Sequence, residues 1–376
     1  MHKHGLSVNF VSYNKTMAQK LDPYLVEAAA KILDVLKLFQ TEQGEIALKD
    51  VVSRSGMVKS TAFRMLYTLE RKGYIERIQG SSGYRRRTRH RVGFAAISST
   101  VPFAIEVNRG IQAEARQYDI ELLMAYNEFD PQLTVRNVEE LLAAGVELII
   151  EYNADEHISH VIADRCARAH VPIIAITFPV PGATTFGINN HRAGLTGGEG
   201  LGEYVMDHWQ GQLDRVVLLD ILGSSSAQQA RLTGMVDGLR KFVAVPEEIM
   251  QHLHAHRSED AGQIVECFLT QNPRSKRILI LCFNDVNALG ALQAVRAARR
   301  TPHVLILSQG GVAEVRRPLK YTDGCLWGAV AHYPERFGLN LMPLVMRMLR
   351  EQYVRNAVWT PHTLLTRSTP GRQKTS

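Results

Sequence analysis

Lys59, Ser60, Thr61, Arg64 and Tyr67 lie in the stretch GMVKSTAFRMLYTLERKGYIERI, residues 56–78, and Arg85, Arg86 and Arg87 follow a Gly80-Ser81-Ser82-Gly83 turn. Cations and hydroxyls in this order suit a polyanion: ammonium and guanidinium groups neutralise phosphates, and hydroxyls and guanidinium forks hydrogen-bond base edges. Other chemistry is thin. His252, His254 and His256 form H-x-H-x-H, which sets three imidazoles on one strand face. Without a plausible fourth acidic or cysteine ligand nearby, they read as a solvated edge or loop, not a metal site. Ser224-Ser225-Ser226 lacks the G-x-S-x-G elbow of a nucleophilic serine, and Asn284-Asp285 reads as a helix start rather than an acid–base pair. No enzyme, metal or cofactor is predicted.

The elements that must position the basic residues can be read from periodicity. In residues 24–39, Leu25, Ala29, Ile32, Leu33, Leu36 and Phe39 recur at helical intervals, and a short helix over 47–54 turns Leu48, Val51 and Val52 inward. Gly56 suits a left-handed turn, after which a third helix over 59–72 packs through Ala62, Phe63, Leu66 and Leu69. That arrangement leaves Lys59, Thr61 and Arg64 exposed on one side. Gly73 stops the helix, and Tyr74–Ile78 and Tyr84–Arg87 pair as a two-stranded wing.

Charge agrees with this division. Residues 1–91 carry 17 Lys and Arg against 8 Asp and Glu, whereas the remainder carries 27 against 29. The whole excess of +7 therefore belongs to the first quarter, the footprint of a nucleic-acid-binding end on an otherwise neutral protein. With 376 residues the chain has room for a small domain and a much larger two-lobed one. Cys166, Cys267, Cys282 and Cys325 are scattered, as small core residues of a reduced, cytoplasmic protein would be. Neither a secretory leader nor a membrane span is predicted.

GMVKSTAFRMLYTLERKGYIER resembles the helix-turn-helix and wing of IclR-type bacterial transcription regulators, over about residues 24–87. The resemblance implies operator DNA bound by a dimer, with Lys59, Ser60, Thr61, Arg64, Tyr67, Arg85, Arg86 and Arg87 as its DNA-binding residues. It does not extend into the usual IclR ligand domain.

From Arg91 a strand–helix rhythm begins. Strands near 92–97, 120–125, 146–150 and 171–176 alternate with helices near 104–117, 131–144 and 156–169. A second unit follows a helix over 191–208, with strands near 215–220, 277–282 and 303–307 and helices near 227–242, 260–270 and 285–300. Such alternation argues for parallel sheets covered on both faces, with a cleft at the carboxyl ends of the strands.

Four segments here, FAIEVNRGIQAEARQYDIELLM (103–124), ARLTGMVDGL (230–239), LCFNDVNALGALQAV (281–295) and AVAHYPERFG (329–338), resemble type 1 periplasmic sugar-binding proteins and LacI-type effector domains. The likeness covers about residues 91–366. It implies a sugar-type cleft in which Phe103 is a first-lobe aromatic, Asn284 the asparagine of the N-D motif and His332 a polar contact. An acidic–basic pair expected after the fourth strand appears as Thr177-Phe178, a binding arginine aligns with Gln229, and an acidic residue near the last hinge aligns with Gly310. Phe178, Gln229 and Trp327 complete the ligand-binding set, the aromatics stacking an apolar ligand body.

The expected architecture is α/β: an N-terminal winged helix-turn-helix domain (24–90) plus a two-lobed type 1 periplasmic-binding-protein-like domain (91–366) with parallel sheets, between an extension (1–23) and a tail (367–376). The expected function is a cytoplasmic, homodimeric DNA-binding regulator, a repressor responding to a sugar, sugar alcohol or related metabolite, with no membrane partner. The alternative is a non-enzymatic solute-binding or transport-associated sensor.

Overall fold

A computed structural model describes residues 24–41, 45–78, 80–86, 89–153, 155–321 and 324–367. The extension, the tail beyond Arg367, and Arg87 in the wing lie outside them. The chain divides into two compact units between Thr88 and Arg89.

The small unit runs α1 (Glu27–Thr41), β1 (Ile46–Ala47), α2 (Leu48–Ser55), α3 (Lys59–Arg71), β2 (Ile75–Arg77) and β3 (Gly83–Arg86). Gly56 ends α2 at φ +65°, and its N–H closes on Val52 O, as the glycine predicted. The wing is larger than a hairpin: β1 pairs with β3, which pairs with β2, all antiparallel.

Val35, Phe39, Ile46, Val51, Ala62, Leu66, Leu69, Ile75 and Tyr84 form the core of this unit. Two parts of the periodic reading need correcting. Leu25 and Leu33 are 58% and 55% exposed and Ala29 is exposed too, while Val35, outside the expected stripe, is fully buried. Leu25 precedes the helix, and Leu33 lies roughly 160° round it from Val35. Phe63 is 45% exposed, and Met65 packs against the core instead, because Phe63 lies roughly 100° round α3 from Ala62.

The large unit begins with β4 (Arg91–Ala96), α4 (Pro102–Gln117), β5 (Glu121–Tyr126), α5 (Pro131–Ala143), β6 (Leu148–Glu151), α6 (Ser159–Arg168), β7 (Ile173–Ile176) and β8 (Thr184–Gly187). It continues with α7 (Asn190–Trp209), β9 (Arg215–Asp220), α8 (Ser226–Arg240), β10 (Met250–His254), α9 (Ser258–Gln271), β11 (Ile278–Cys282), α10 (Asp285–Ala297), β12 (Val304–Gly310) and α11 (Ala313–Tyr321). β13 (Leu326–Ala331), α12 (Phe337–Leu349), β14 (Ala357–Trp359) and β15 (Thr363–Thr366) close it.

Two six-stranded sheets result, ordered β14-β8-β7-β6-β4-β5 and β10-β9-β11-β12-β13-β15. All neighbours are parallel except β13 and β15. The chain crosses between the lobes after β8, after β13 and after β14, so each lobe is built from discontinuous segments. Buried β-branched and leucine residues fill both faces of each sheet, which is why the strands read as apolar runs.

One helix pair in the second lobe is packed through bare backbone. A Cβ on Gly194 would stand 2.0 Å from Arg231 O, one on Gly198 2.1 Å from Met235 O, and one on Gly234 2.1 Å from His191 O. α7 and α8 therefore touch main chain to main chain. This seam holds Asn190, at the start of α7, beside Arg231 on α8.

Cys166, Cys282 and Cys325 are buried, and Cys267, expected in the core, is exposed. No described helix is long and apolar enough to cross a membrane.

Candidate functional site

On α3, Lys59, Ser60, Arg64, Tyr67 and Arg71 are exposed, and Thr61 is half-buried rather than exposed. Among the described residues Lys59, Arg64 and Arg71 enter no ion pair, so their charges are available to an outside anion. The wing is less free. Arg85 Nε pairs with Glu76 Oε1 at 2.6 Å across the β2–β3 ladder, and Arg77 Nη2 donates to Tyr84 Oη at 2.9 Å. Arg86 is exposed, while Arg87 lies outside the described residues.

The large unit contains a cavity of about 560 Å³. Its lining comes from the carboxyl ends of strands in both sheets, where loops leave the sheet and helices begin. Both walls carry apolar side chains, Ile97, Val101, Phe103, Phe129 and Ile188 from the first lobe and Ile221, Leu222, Phe283, Val286, Leu289 and Val312 from the second, and the second lobe adds most of the polar groups, among them Ser224, Gln228, Arg231, Asn284, Asp285 and Gln309.

Phe103, Asn284 and His332 all line this cavity. Phe103 stands edge-on to His332 with centroids 6.2 Å apart, and a further edge contact with Phe337 fixes the ring. Asn284 caps α10 by accepting the Asn287 N–H at 2.9 Å, so its side-chain oxygen is occupied by the helix start. Buried His332 meets Gln309 Oε1 through Nε2 at 2.8 Å. Burial, with the Arg231 charge adding to it, lowers the His332 pKa well below the usual imidazole value and keeps the ring neutral.

Phe178, Gln229 and Trp327 lie off the cavity. Thr177 adopts φ +71° and the Phe178 N–H returns to Ile176 O at 2.9 Å, a γ-turn that buries Phe178 completely behind the wall. Gln229 is exposed and its amide donates to Ser224 O, one helical step beyond the lining residue Gln228. Trp327 packs beneath α7 against Tyr204.

Periodicity missed Arg231, although R-x-x-G marks it. Its Nε and Nη2 donate to Asn190 Oδ1 at 3.2 and 2.7 Å, Nη1 donates to Phe283 O at 3.0 Å, and the guanidinium stacks 4.6 Å from the Phe283 ring centroid. Burial lowers its pKa to about 10, still far above neutrality, so the cleft keeps a cation. Asp285 accepts from Ser308 Oγ and from the Val312 N–H at 2.8 Å, while burial raises its pKa to about 7. Burial raises the Tyr152 phenol pKa to about 12.

Ser225 caps α8 and Ser224 Oγ donates to Asp220. His252 and His254 are exposed on edge strand β10, His256 reaches the cavity rim, and no group of three metal-ligating side chains occurs among the described residues.

The family model of a periplasmic binding protein domain matches residues 92–352, two-thirds of the chain. The chain belongs to that family. A second model, the IclR helix-turn-helix domain, matches residues 28–79. Neither describes an enzyme family. Among curated proteins, the chain is 26% identical over 245 residues to a ribose import binding protein of Haemophilus influenzae, covering 63% of this chain and 78% of that protein. The Escherichia coli protein of the same name is 23% identical over 266 residues, covering 69% and 86%.

Among solved structures, a solute-binding protein of Actinobacillus succinogenes with bound D-allose superposes with TM-score 0.64 at 18% identity, covering 74% of this chain and 98% of that one. One from Bacillus halodurans with bound myo-inositol gives 0.64 at 19%, covering 74% and 95%. These likenesses establish the two-lobed fold. Within it, this periplasmic-binding-protein domain has a local reason for glycine at position 310: a Cβ there would sit 2.6 Å from Asp285 Oδ2, so the already buried carboxylate excludes a second acidic side chain.

Proposed function

We propose that this protein is a transcription regulator that binds operator DNA through its winged helix and adjusts that binding with a sugar, sugar alcohol or related metabolite held in the cleft. The observation that carries the reading is the joining, in one chain, of an IclR-type helix presenting unpaired cations and a periplasmic-binding-protein domain with a ligand-sized cavity. A largely apolar cavity with most of its polar groups on the second lobe suits a ring with a C–H face and hydroxyl groups. Phe103 offers the stacking surface; Arg231, Gln309 and His332 offer polar contacts.

In this reading the protein acts in the cytoplasm as a homodimer, two winged helices reading a two-fold site. Ligand closes the cleft and relieves repression, which requires unequal affinity for the two headpiece arrangements. The rival reading is a transport-associated sensor without a DNA target, which the import-protein relatives favour.

Two measurements separate them. Selection from a random duplex library is expected to enrich one sequence. Arg64→Ala should bind it about tenfold more weakly at matched salt, with a log–log salt slope shallower by about one, and an unchanged far-UV spectrum. Unaltered affinity removes Arg64 from the interface, and failure to enrich any sequence defeats the regulator reading. Separately, a thermal-shift screen over pentoses, hexoses and inositols should give a ligand that, at about a hundred times its Kd, stabilises the protein by about 2.7 kcal/mol. That ligand should shift the duplex titration; a binder that leaves DNA affinity untouched is not the effector.

A further inference from the structure

We infer that Phe63 is a base-reading residue that covers the C5-methyl group of a thymine in the major groove, an assignment that rests on the regulator reading above. The side chain has no place in the small unit's core: Phe63 is 45% exposed and is absent from the cluster that holds Ala62, Leu66 and Leu69. Its neighbour one turn on, Tyr67, is 51% exposed, and the two rings lie 6.4 Å apart at 26°. The pair presents one continuous aromatic surface on the outer face of α3.

The surroundings choose the partner. Lys59, Ser60, Arg64 and Arg71 are exposed on the same helix, and the cations among them make no ion pair with described residues. The one acid of α3, Glu70, is half-buried and acts on Arg77. An apolar protein surface would leave these cations uncompensated, whereas duplex DNA supplies phosphates around a groove floor. That floor displays hydrogen-bonding atoms on every base pair and a single apolar group, the thymine methyl. A phenyl ring over any other base edge would strip water from a donor or acceptor and return nothing. Over the methyl it loses no hydrogen bond and buries about one carbon's worth of apolar surface.

The test uses the full-length protein and the duplex it enriches from a random library. Each thymine of that duplex is replaced in turn by deoxyuridine, which deletes the methyl and keeps the base-pairing edge. At one or two positions the wild-type protein should bind about fourfold more weakly, the value of one buried methyl. Phe63→Ala should bind the thymine and deoxyuridine duplexes equally at those positions, and Phe63→Leu should retain part of the difference. Far-UV spectra establish that both variants fold, as expected for an exposed position. If an enriched duplex exists and no deoxyuridine weakens wild-type binding, or if Phe63→Ala keeps the full methyl dependence, the assignment fails while the regulator reading stands. If no duplex is enriched, both fall. If Phe63→Ala changes only the sedimentation of the free protein, the ring belongs to a self-association surface and the assignment is again overturned.

Discussion

Glu151→Gln is expected to make the large unit more stable than the wild type by roughly 4 kcal/mol at pH 9, with little difference at pH 5. Glu151 ends β6 with no exposed surface, and Asn153 Nδ2 donates to Oε1 at 2.7 Å. Oε2 has no hydrogen-bond partner among the described residues. Burial dominates and raises the carboxyl pKa from 4.5 to about 8, with the Asn153 contact opposing it. In the unfolded chain the same group ionises near 4.5. Between those pH values the unfolded state releases a proton that the folded state keeps, so stability is full below about 4.5, falls as pH rises, and levels off above about 8. Glutamine keeps the shape and has no proton to lose.

All three tryptophans, Trp209, Trp327 and Trp359, belong to the large unit, so fluorescence-detected guanidinium unfolding reports on it alone. Comparing variant with wild type at each pH cancels the opposite trend from His332, whose suppressed protonation costs stability as pH falls through the ordinary imidazole range. It also cancels Asp285, whose raised pKa acts in the same direction as Glu151. Parallel pH profiles for the two proteins would show that Glu151 is ionised in the folded state.

The second large effect is at the helix seam. Gly198→Ala should destabilise the large unit by about 3 kcal/mol, because its Cβ must displace the Met235 carbonyl rather than a yielding side chain. Gly262→Ala provides the contrast: the nearest atom to its Cβ is 3.5 Å away, in ordinary contact. That helix-interior change should be neutral or stabilise by up to about 1 kcal/mol. The same fluorescence measurement compares them. Forced apart, α7 and α8 would also part Asn190 from Arg231, so the Gly198 variant should lose ligand response together with stability. A Gly198→Ala protein as stable as wild type would mean that the two helices can separate freely.

The long elements were legible because each has a local cause. α3 follows the turn at Gly56, α10 begins at Asn284, and the buried strands are runs of valine, isoleucine and leucine. β8, β14 and β15 escaped notice: they are three or four residues long, two of them at sheet edges, and take their strand character from a neighbour's ladder rather than from their own pattern. Phe103, Asn284 and His332 could be placed at the cleft through the resemblance to sugar-binding proteins, and the structure brings all three to its lining. Phe178 and Gln229 differ from lining positions by a single residue, and one turn of backbone removes each from the wall.

Sequence alone sufficed for the separation of a basic helical end from a neutral α/β body, since charge content and apolar periodicity are properties of neighbouring residues. Which side chains face outward or into the cleft was decided by contacts between segments far apart in the chain. Phe63 is left uncovered because Val35, Phe39 and Tyr84 complete the core without it; Arg231 faces the cavity because glycines let α7 approach α8; Glu151 is neutralised by packing alone. Burial is a relation between distant residues, and it is burial that sets both the exposed reading face and the proton affinities within.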